Sequence, residues 1–153
     1  MSSNNINTTR AQTVMAFDYG LRHIGVAVGQ SVTATAAPLE TVSVCNGKPD
    51  WARIQTLLEN WQPDAAVVGE PLNMDGTEQA MTAAARRFGR QLNGRFGLTV
   101  HHADERLSSV EARAQLAERG QIGRADHPYA AQIILETWLQ ERANALAAND
   151  TSA

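Results

Sequence analysis

Cysteine, lysine and aromatic side chains are all scarce in this chain of 153 residues, which has one cysteine (Cys45), one lysine (Lys48) and 5% aromatics. A lone cysteine excludes an intramolecular disulfide framework and fits a reducing compartment. No apolar run approaches the roughly 20 residues that cross a bilayer. The first dozen residues, Met1 to Gln12, are polar and lack the apolar centre of a signal peptide. A cytoplasmic protein with no membrane segment is therefore expected. Strong charge of one sign is also missing. The net charge of −3 excludes a chain that holds nucleic acid through overall basicity alone. What remains, 43% hydrophobic and 19% charged residues in a length that suits one domain, is the composition of a globular protein.

The charge is unevenly spread. From Arg86 to Arg124 eight arginines stand against four acids, so this segment carries +4 and the rest of the chain −7. Arginine offers phosphate a planar fork of two donors, which suits contact with a nucleic-acid backbone. A solvated helix face would show the same bias.

Residues 1–12 read as a disordered leader, 13–143 as one domain and 144–153 as a flexible tail. Strands are predicted near 13–18, 24–30 and 34–42. A helix follows at about 50–61, where Trp51, Ile54, Leu57, Leu58 and Trp61 recur at helical spacing. Ala65-Ala66-Val67-Val68-Gly69 has no polar alternation and reads as a strand buried on both faces. A second helix is expected from Glu78 to Arg95, with Met81, Ala84, Ala85, Phe88 and Leu92 along one stripe and Thr77 as its cap. Leu98 to Ala103 forms another strand. Ser108-Ser109-Val110-Glu111 reads as a capping box opening a helix to Arg119. His127-Pro128 starts a last helix with Ala130, Ile133, Ile134 and Trp138 toward the core. The order βββαβαβαα predicts an α/β fold. Its mixed five-stranded sheet, an antiparallel meander plus two parallel strands, is flanked by helices, a ribonuclease H-like architecture.

Carboxylates stand at the ends of these elements. Asp18 closes the first strand, Asp104-Glu105 follow the fifth and Asp126 precedes the last helix. Strand ends at the centre of an open sheet gather ligands. Three carboxylates drawn together there would hold Mg²⁺ or Mn²⁺ and leave positions for water and phosphate oxygens. Each acid also has a plainer role: Asp18 as a turn former, Asp104 or Glu105 beside Arg106, Asp126 as a helix N-cap. Joint placement favours the metal reading. The stretch Gly69 to Thr77 leaves the buried strand at the same end and offers Asn73, Asp75, Gly76 and Thr77 to a phosphate. Arg86 and Arg90 lie one turn apart on the next helix, with Arg87 beside them. His101 and His102 are adjacent in a strand and point to opposite faces, which argues against a shared metal.

At these residues the chain resembles the YqgF/RuvX family, described both as Holliday junction resolvases and as pre-16S rRNA nucleases. The resemblance covers roughly residues 13–140. It rests on Phe17-Asp18-Tyr19-Gly20 with Ile24-Gly25-Val26-Ala27, and on Val67 to Gly76. Asp104-Glu105-Arg106-Leu107-Ser108, and Asp126 ahead of Ala130-Ala131, complete it. It implies a ribonuclease H-like fold and a metal-dependent hydrolase acting on ester bonds, a nuclease of two-metal-ion type using Mg²⁺ or Mn²⁺. It further implies a cytoplasmic role in maturing the 5′ end of small-subunit ribosomal RNA. Carried over by motif, Asp18, Glu105 and Asp126 would be the catalytic, metal-binding acids, with Asp104 as a further candidate ligand. Arg22, Asn73, Arg86, Arg87, Arg90 and Arg106 would contact nucleic acid. Three positions depart from the family pattern: Leu21 with His23, Glu70, and a short connection between Arg119 and Asp126.

The substrate expected first is structured RNA, with branched DNA second, and the protein is expected to be a monomer or homodimer. Two other readings compete. A nucleotide-binding phosphotransferase would share the Asp18-Tyr19-Gly20 loop but needs a second such domain. A non-catalytic RNA-binding ribosome-assembly factor would use the arginines and not the acids.

Overall fold

The structure, a computed structural model, describes residues 11–71, 75–104 and 127–151. The elements are β1 (Thr13–Tyr19), β2 (His23–Gln30), β3 (Thr35–Cys45), β4 (Lys48–Pro49), α1 (Trp51–Trp61), β5 (Ala65–Glu70), α2 (Ala80–Phe96), β6 (Thr99–Asp104) and α3 (His127–Thr151). The sequence-predicted helix from Ser108 to Arg119 and the connection from Arg119 to Asp126 lie outside the described residues.

The strands form one sheet in the order β4-β3-β2-β1-β5-β6. β1 pairs antiparallel with β2 and parallel with β5, and β5 pairs parallel with β6. The meander and the two parallel additions are as the sequence predicts. The sheet has six strands and not five, because Lys48–Pro49 pairs with the end of β3. Two residues are too few to show a periodicity, so this strand leaves no signal in the sequence.

Strand alternation sorts the core onto two faces. Met15, Phe17 and Tyr19 of β1, Ile24 and Val26 of β2 and Val68 of β5 pack with Ile54, Leu57, Ala85, Phe88 and Leu92 of α1 and α2. Val14 and Ala16, with Ala27 and Val67, pack on the opposite face against Ala131, Ile134, Leu135 and Leu139 of α3. Each large side chain so buried contributes about 1.5–3 kcal/mol. Ile133 and Ile134 of α3 are buried as predicted, together with Ala131, Leu135 and Leu139, whereas the predicted Ala130 is only partly buried. Trp138 is only partly buried, because its ring lies at the edge against His101, centroid to centroid 5.0 Å.

The face of β2 under α3 is made of small residues, Gly25, Ala27 and Gly29. A Cβ on Gly29 would come within 2.7 Å of the Thr35 carbonyl oxygen and 3.0 Å of Leu135 Cδ2. The helix therefore lies unusually close to the sheet. Side chains of α3 also cover β3 beyond its pairing: Gln132 donates to the Ala36 carbonyl at 3.0 Å, and the Ala36 amide donates to Glu136 at 3.3 Å. Backbone groups that would otherwise form an open sheet edge are thereby satisfied.

α2 starts at Ala80, and its cap differs from the expected Thr77. The Thr77 amide and hydroxyl both donate to Asp75 Oδ1, at 2.9 and 2.6 Å. The cap is Gln79, whose amide donates to the Thr82 hydroxyl at 2.9 Å. That hydroxyl in turn donates to the Pro71 carbonyl oxygen. Thr82 is fully buried, so this polar side chain is tolerated because both of its bonding roles are filled.

Candidate active site

Asp18 is the last residue but one of the central strand β1, half-buried, and its Cα partner in β2 is Gly25. On the other side, Phe17 pairs with Val68, and Gly69 is the next residue of β5. Gly69 itself pairs with Ala103 of β6. Asp18 shares the parity of Val14 and Ala16, so it belongs to the sheet face that α3 covers. A carboxylate thus stands in a row of very small residues, at the end of the sheet where the parallel strands terminate.

The start of α3 lies on the same row. A Cβ built on Gly25 would be 1.9 Å from the His127 carbonyl oxygen and 2.9 Å from His127 Cβ. No side chain fits there, so the glycine is required by close approach. Beside this contact the imidazoles of His23 and His127 stack, with centroids 4.8 Å apart and ring planes inclined by 20°. Asp126, the residue before His127 in the chain, lies outside the described residues. So do Glu105, Arg106 and Asn73.

Asp104 is exposed and pairs in register with Glu70. Both share the parity of His102, on the α2 face of the sheet, across from Asp18. Of the four candidate acids, then, the structure describes Asp18 and Asp104 and sets them on opposite faces. Among the described residues, no three His, Cys, Asp or Glu side chains gather closely enough to hold an ion.

The α2 face carries a charged network that the sequence did not announce. Glu70 receives a two-pronged contact from Arg86, Nε at 3.1 Å and a terminal nitrogen at 3.2 Å. Arg86 also reaches Glu78 at 2.6 Å, and His102 Nδ1 lies 3.1 Å from Glu70. Hydrogen bonds to Glu70 and then Glu78 raise the Arg86 pKa above its ordinary value. Arg86 is therefore committed to two carboxylates of its own chain. Arg87 and Arg90 are exposed on the same helix, and His102 and Arg90 line an open groove of about 350 Å³ with Gly89, Asn93 and Val100. Arg22 is exposed in the turn between β1 and β2.

The two adjacent histidines of β6 do diverge. His101 meets Trp138 on the α3 face, and His102 meets Glu70 on the other. Burial, and then the charges of Arg142 and His102, lower the His101 pKa. The histidine stack and the Glu70–Arg86 clamp were missed in the sequence, since both join residues far apart in the chain. The alternation of small residues at 25, 27 and 29 was a usable sign of close helix packing.

A central strand ending in a carboxylate, parallel strands on one side, a meander on the other and a helix laid on one face with its start beside that carboxylate define a ribonuclease H-like fold. The structure is similar to that of Thermus thermophilus RuvC in complex with a Holliday junction substrate, with a TM-score of 0.56 and 22% identity over 86% of this chain and 95% of that one. Fowlpox virus resolvase bound to Holliday junction DNA is similar at a TM-score of 0.52 and 10% identity, over 84% and 97%.

Within that class, residues 12–141 match the family described as "RuvX: Holliday junction resolvase", and the chain belongs to it. Relatives named "Putative pre-16S rRNA nuclease" are 51% identical in Pectobacterium carotovorum, over 86% of this chain and 97% of the relative. In Cronobacter sakazakii the identity is 54%, over 84% and 96%. No helix among the described residues is long and apolar enough to cross a membrane.

Proposed function

We propose that this protein is a metal-dependent endonuclease that hydrolyses a phosphodiester bond of structured RNA, in maturation of the 5′ end of pre-16S rRNA in the cytoplasm. Family membership and the names of its relatives support the reaction class. The observation that carries the site is the contact of His127 with Gly25, directly opposite Asp18. It brings the chain that immediately follows Asp126 onto the Asp18 row.

Asp18, Glu105 and Asp126 are the proposed catalytic acids, within a single nuclease domain over residues 13–143. Asp104 lies on the face opposite Asp18 and is the weaker candidate ligand. All these donors are hard carboxylate oxygens, the set that suits Mg²⁺ or Mn²⁺. When bound, two such cations would activate a water and offset charge on the leaving oxygen. The carboxylates hold that charge in place. Arg22, at the Asp18 end of the sheet, contacts the backbone there. Arg87 and Arg90, across the sheet, bind a more distant stretch, and Asn73 and Arg106 complete the contact set.

The test is cleavage of end-labelled pre-16S rRNA with Mg²⁺ or Mn²⁺ by the wild type and Asp18→Asn. Loss in the variant with binding intact supports the assignment, and equal cleavage rejects it. A parallel arm with a four-way DNA junction decides the substrate. Junction cutting calls for two active sites and hence a homodimer, whereas one RNA cut needs only a monomer.

A further inference from the structure

The ring of His102 is fixed from two sides, on the sheet face opposite Asp18. Its Nδ1 lies 3.1 Å from Glu70 Oε2. A carboxylate in a two-pronged contact with Arg86 only accepts hydrogen bonds, so the hydrogen shared with the imidazole belongs to Nδ1. The other edge of the ring lies over the backbone of α2. A Cβ on Gly89 would come within 2.8 Å of His102 Cε1 and 3.2 Å of Nε2. The glycine leaves the space that this edge occupies. Both residues belong to the wall of the open groove between α2 and β6, with Arg90, Asn93 and Val100. At about 350 Å³ the groove stands at the lower end of ligand-binding clefts, which suits one sugar–phosphate unit.

The polar groups of the wall offer different things. Asn93 commits its amide nitrogen to the Leu98 carbonyl at 2.9 Å. Arg90 is exposed and carries a planar fork of donors that fits phosphate. Nε2 of His102, the nitrogen away from Glu70, is an acceptor while the ring is neutral. Phosphate oxygens also accept, so they suit Arg90 and not this nitrogen. A ribose 2′-hydroxyl donates as well as accepts, and it satisfies Nε2.

We propose that this groove is a ribose-reading subsite. Arg90 takes a backbone phosphate, and His102, its tautomer set by Glu70, accepts a hydrogen bond from the adjoining 2′-hydroxyl. The pair favours RNA over DNA at a contact remote from the cut, and His102 has no part in bond cleavage. Gly89 belongs to the subsite because a side chain there would displace the ring. The inference deepens, and rests on, the reading of structured RNA as the substrate.

The experiment measures binding by fluorescence anisotropy without metal, so that nothing is cleaved, in mildly alkaline buffer that keeps imidazole neutral. The probes are a labelled hairpin of the precursor 5′ end, the same hairpin in DNA, and its 2′-O-methyl form. The proteins are wild type, His102→Phe, His102→Leu and Arg90→Ala. Wild type binds the RNA more tightly than the DNA. Both His102 variants lose RNA affinity roughly two- to tenfold, the range of one hydrogen bond, and keep wild-type DNA affinity and salt slope. Arg90→Ala weakens both ligands and lowers the slope of log affinity against log salt by about one. With wild type alone, 2′-O-methyl RNA, which cannot donate, binds as weakly as DNA, and full affinity there overturns the proposal. Equal losses on RNA and DNA in the His102 variants overturn it too. So does an unchanged RNA-to-DNA ratio in them while wild type prefers RNA. A wild type that holds DNA as tightly as RNA sinks the structured-RNA reading itself, and the subsite with it.

Discussion

Asp18 and Gly25 face each other across the β1–β2 ladder, and the first residue of α3 rests on the glycine of that pair. The carboxylate and the helix start are thus held to one another through a position that tolerates no side chain. Gly25→Ala must displace the helix, because 1.9 Å is far inside van der Waals contact. The expected cost is about 1–3 kcal/mol, as for an overpacked core, with a larger proportional loss of cleavage than of stability. Urea unfolding and cleavage rates on the same preparation check this. A variant with wild-type stability and rate would show that α3 does not need this seat.

Asp18→Asn keeps the size and shape of the side chain and removes its charge. If Asp18 holds a divalent cation, several kcal/mol of charge stabilisation are lost, and cleavage falls on the order of a hundredfold or more. Far-UV circular dichroism should be unchanged. A raised Mn²⁺ requirement in the variant would localise the loss to cation binding.

The arginines of α2 should separate by role. Arg86 is clamped between Glu70 and Glu78, so Arg86→Ala leaves Glu70, only 15% exposed, without its two-pronged partner. Lower unfolding temperature is expected, with little change in the salt dependence of RNA binding. Arg87→Ala and Arg90→Ala should do the opposite. Stability holds, and the slope of log affinity against log salt drops by about one for each phosphate that is no longer neutralised. Equal slopes in all three variants would remove α2 from the nucleic-acid surface.

Stability should also depend on His101. Burial beside Trp138, with Arg142 and His102 nearby, keeps its folded-state pKa below the ordinary 6.5. The unfolded chain therefore takes up the proton first as pH drops. The contribution of neutral His101 is full above about pH 6.5 and is lost as pH falls through the lowered folded value. His101→Phe should flatten this part of the profile, measured as urea midpoints between pH 8 and pH 5. Unchanged pH dependence would assign the acid sensitivity to other groups.

Much of the fold was legible in the chain itself. The unbroken apolar run Ala65 to Gly69 marked a strand buried on both faces, and it pairs on both edges. The stripe Ala85, Phe88, Leu92 marked the packed face of α2 correctly. Thr82 was not legible, because a buried hydroxyl is offset by partners at Gln79 and Pro71 that no periodicity reveals. Nor was the Glu70 clamp, since a charge at a strand end reads alike whether it faces water, a metal or Arg86.

The sequence by itself determined the longer strands and helices among the described residues, that parallel strands would join a meander, and that Asp18 and Asp104 stand at strand ends. Those are local matters, written in the alternation of apolar residues and in turn chemistry over a few positions. Only the tertiary structure decided that Asp18 and Asp104 lie on opposite faces, that Arg86 serves Glu70, and that His23 meets His127. Such relations depend on register and on how closely a helix can approach a sheet. Both are set by contacts between residues far apart along the chain, Ala36 with Glu136 among them, where no single stretch carries the information.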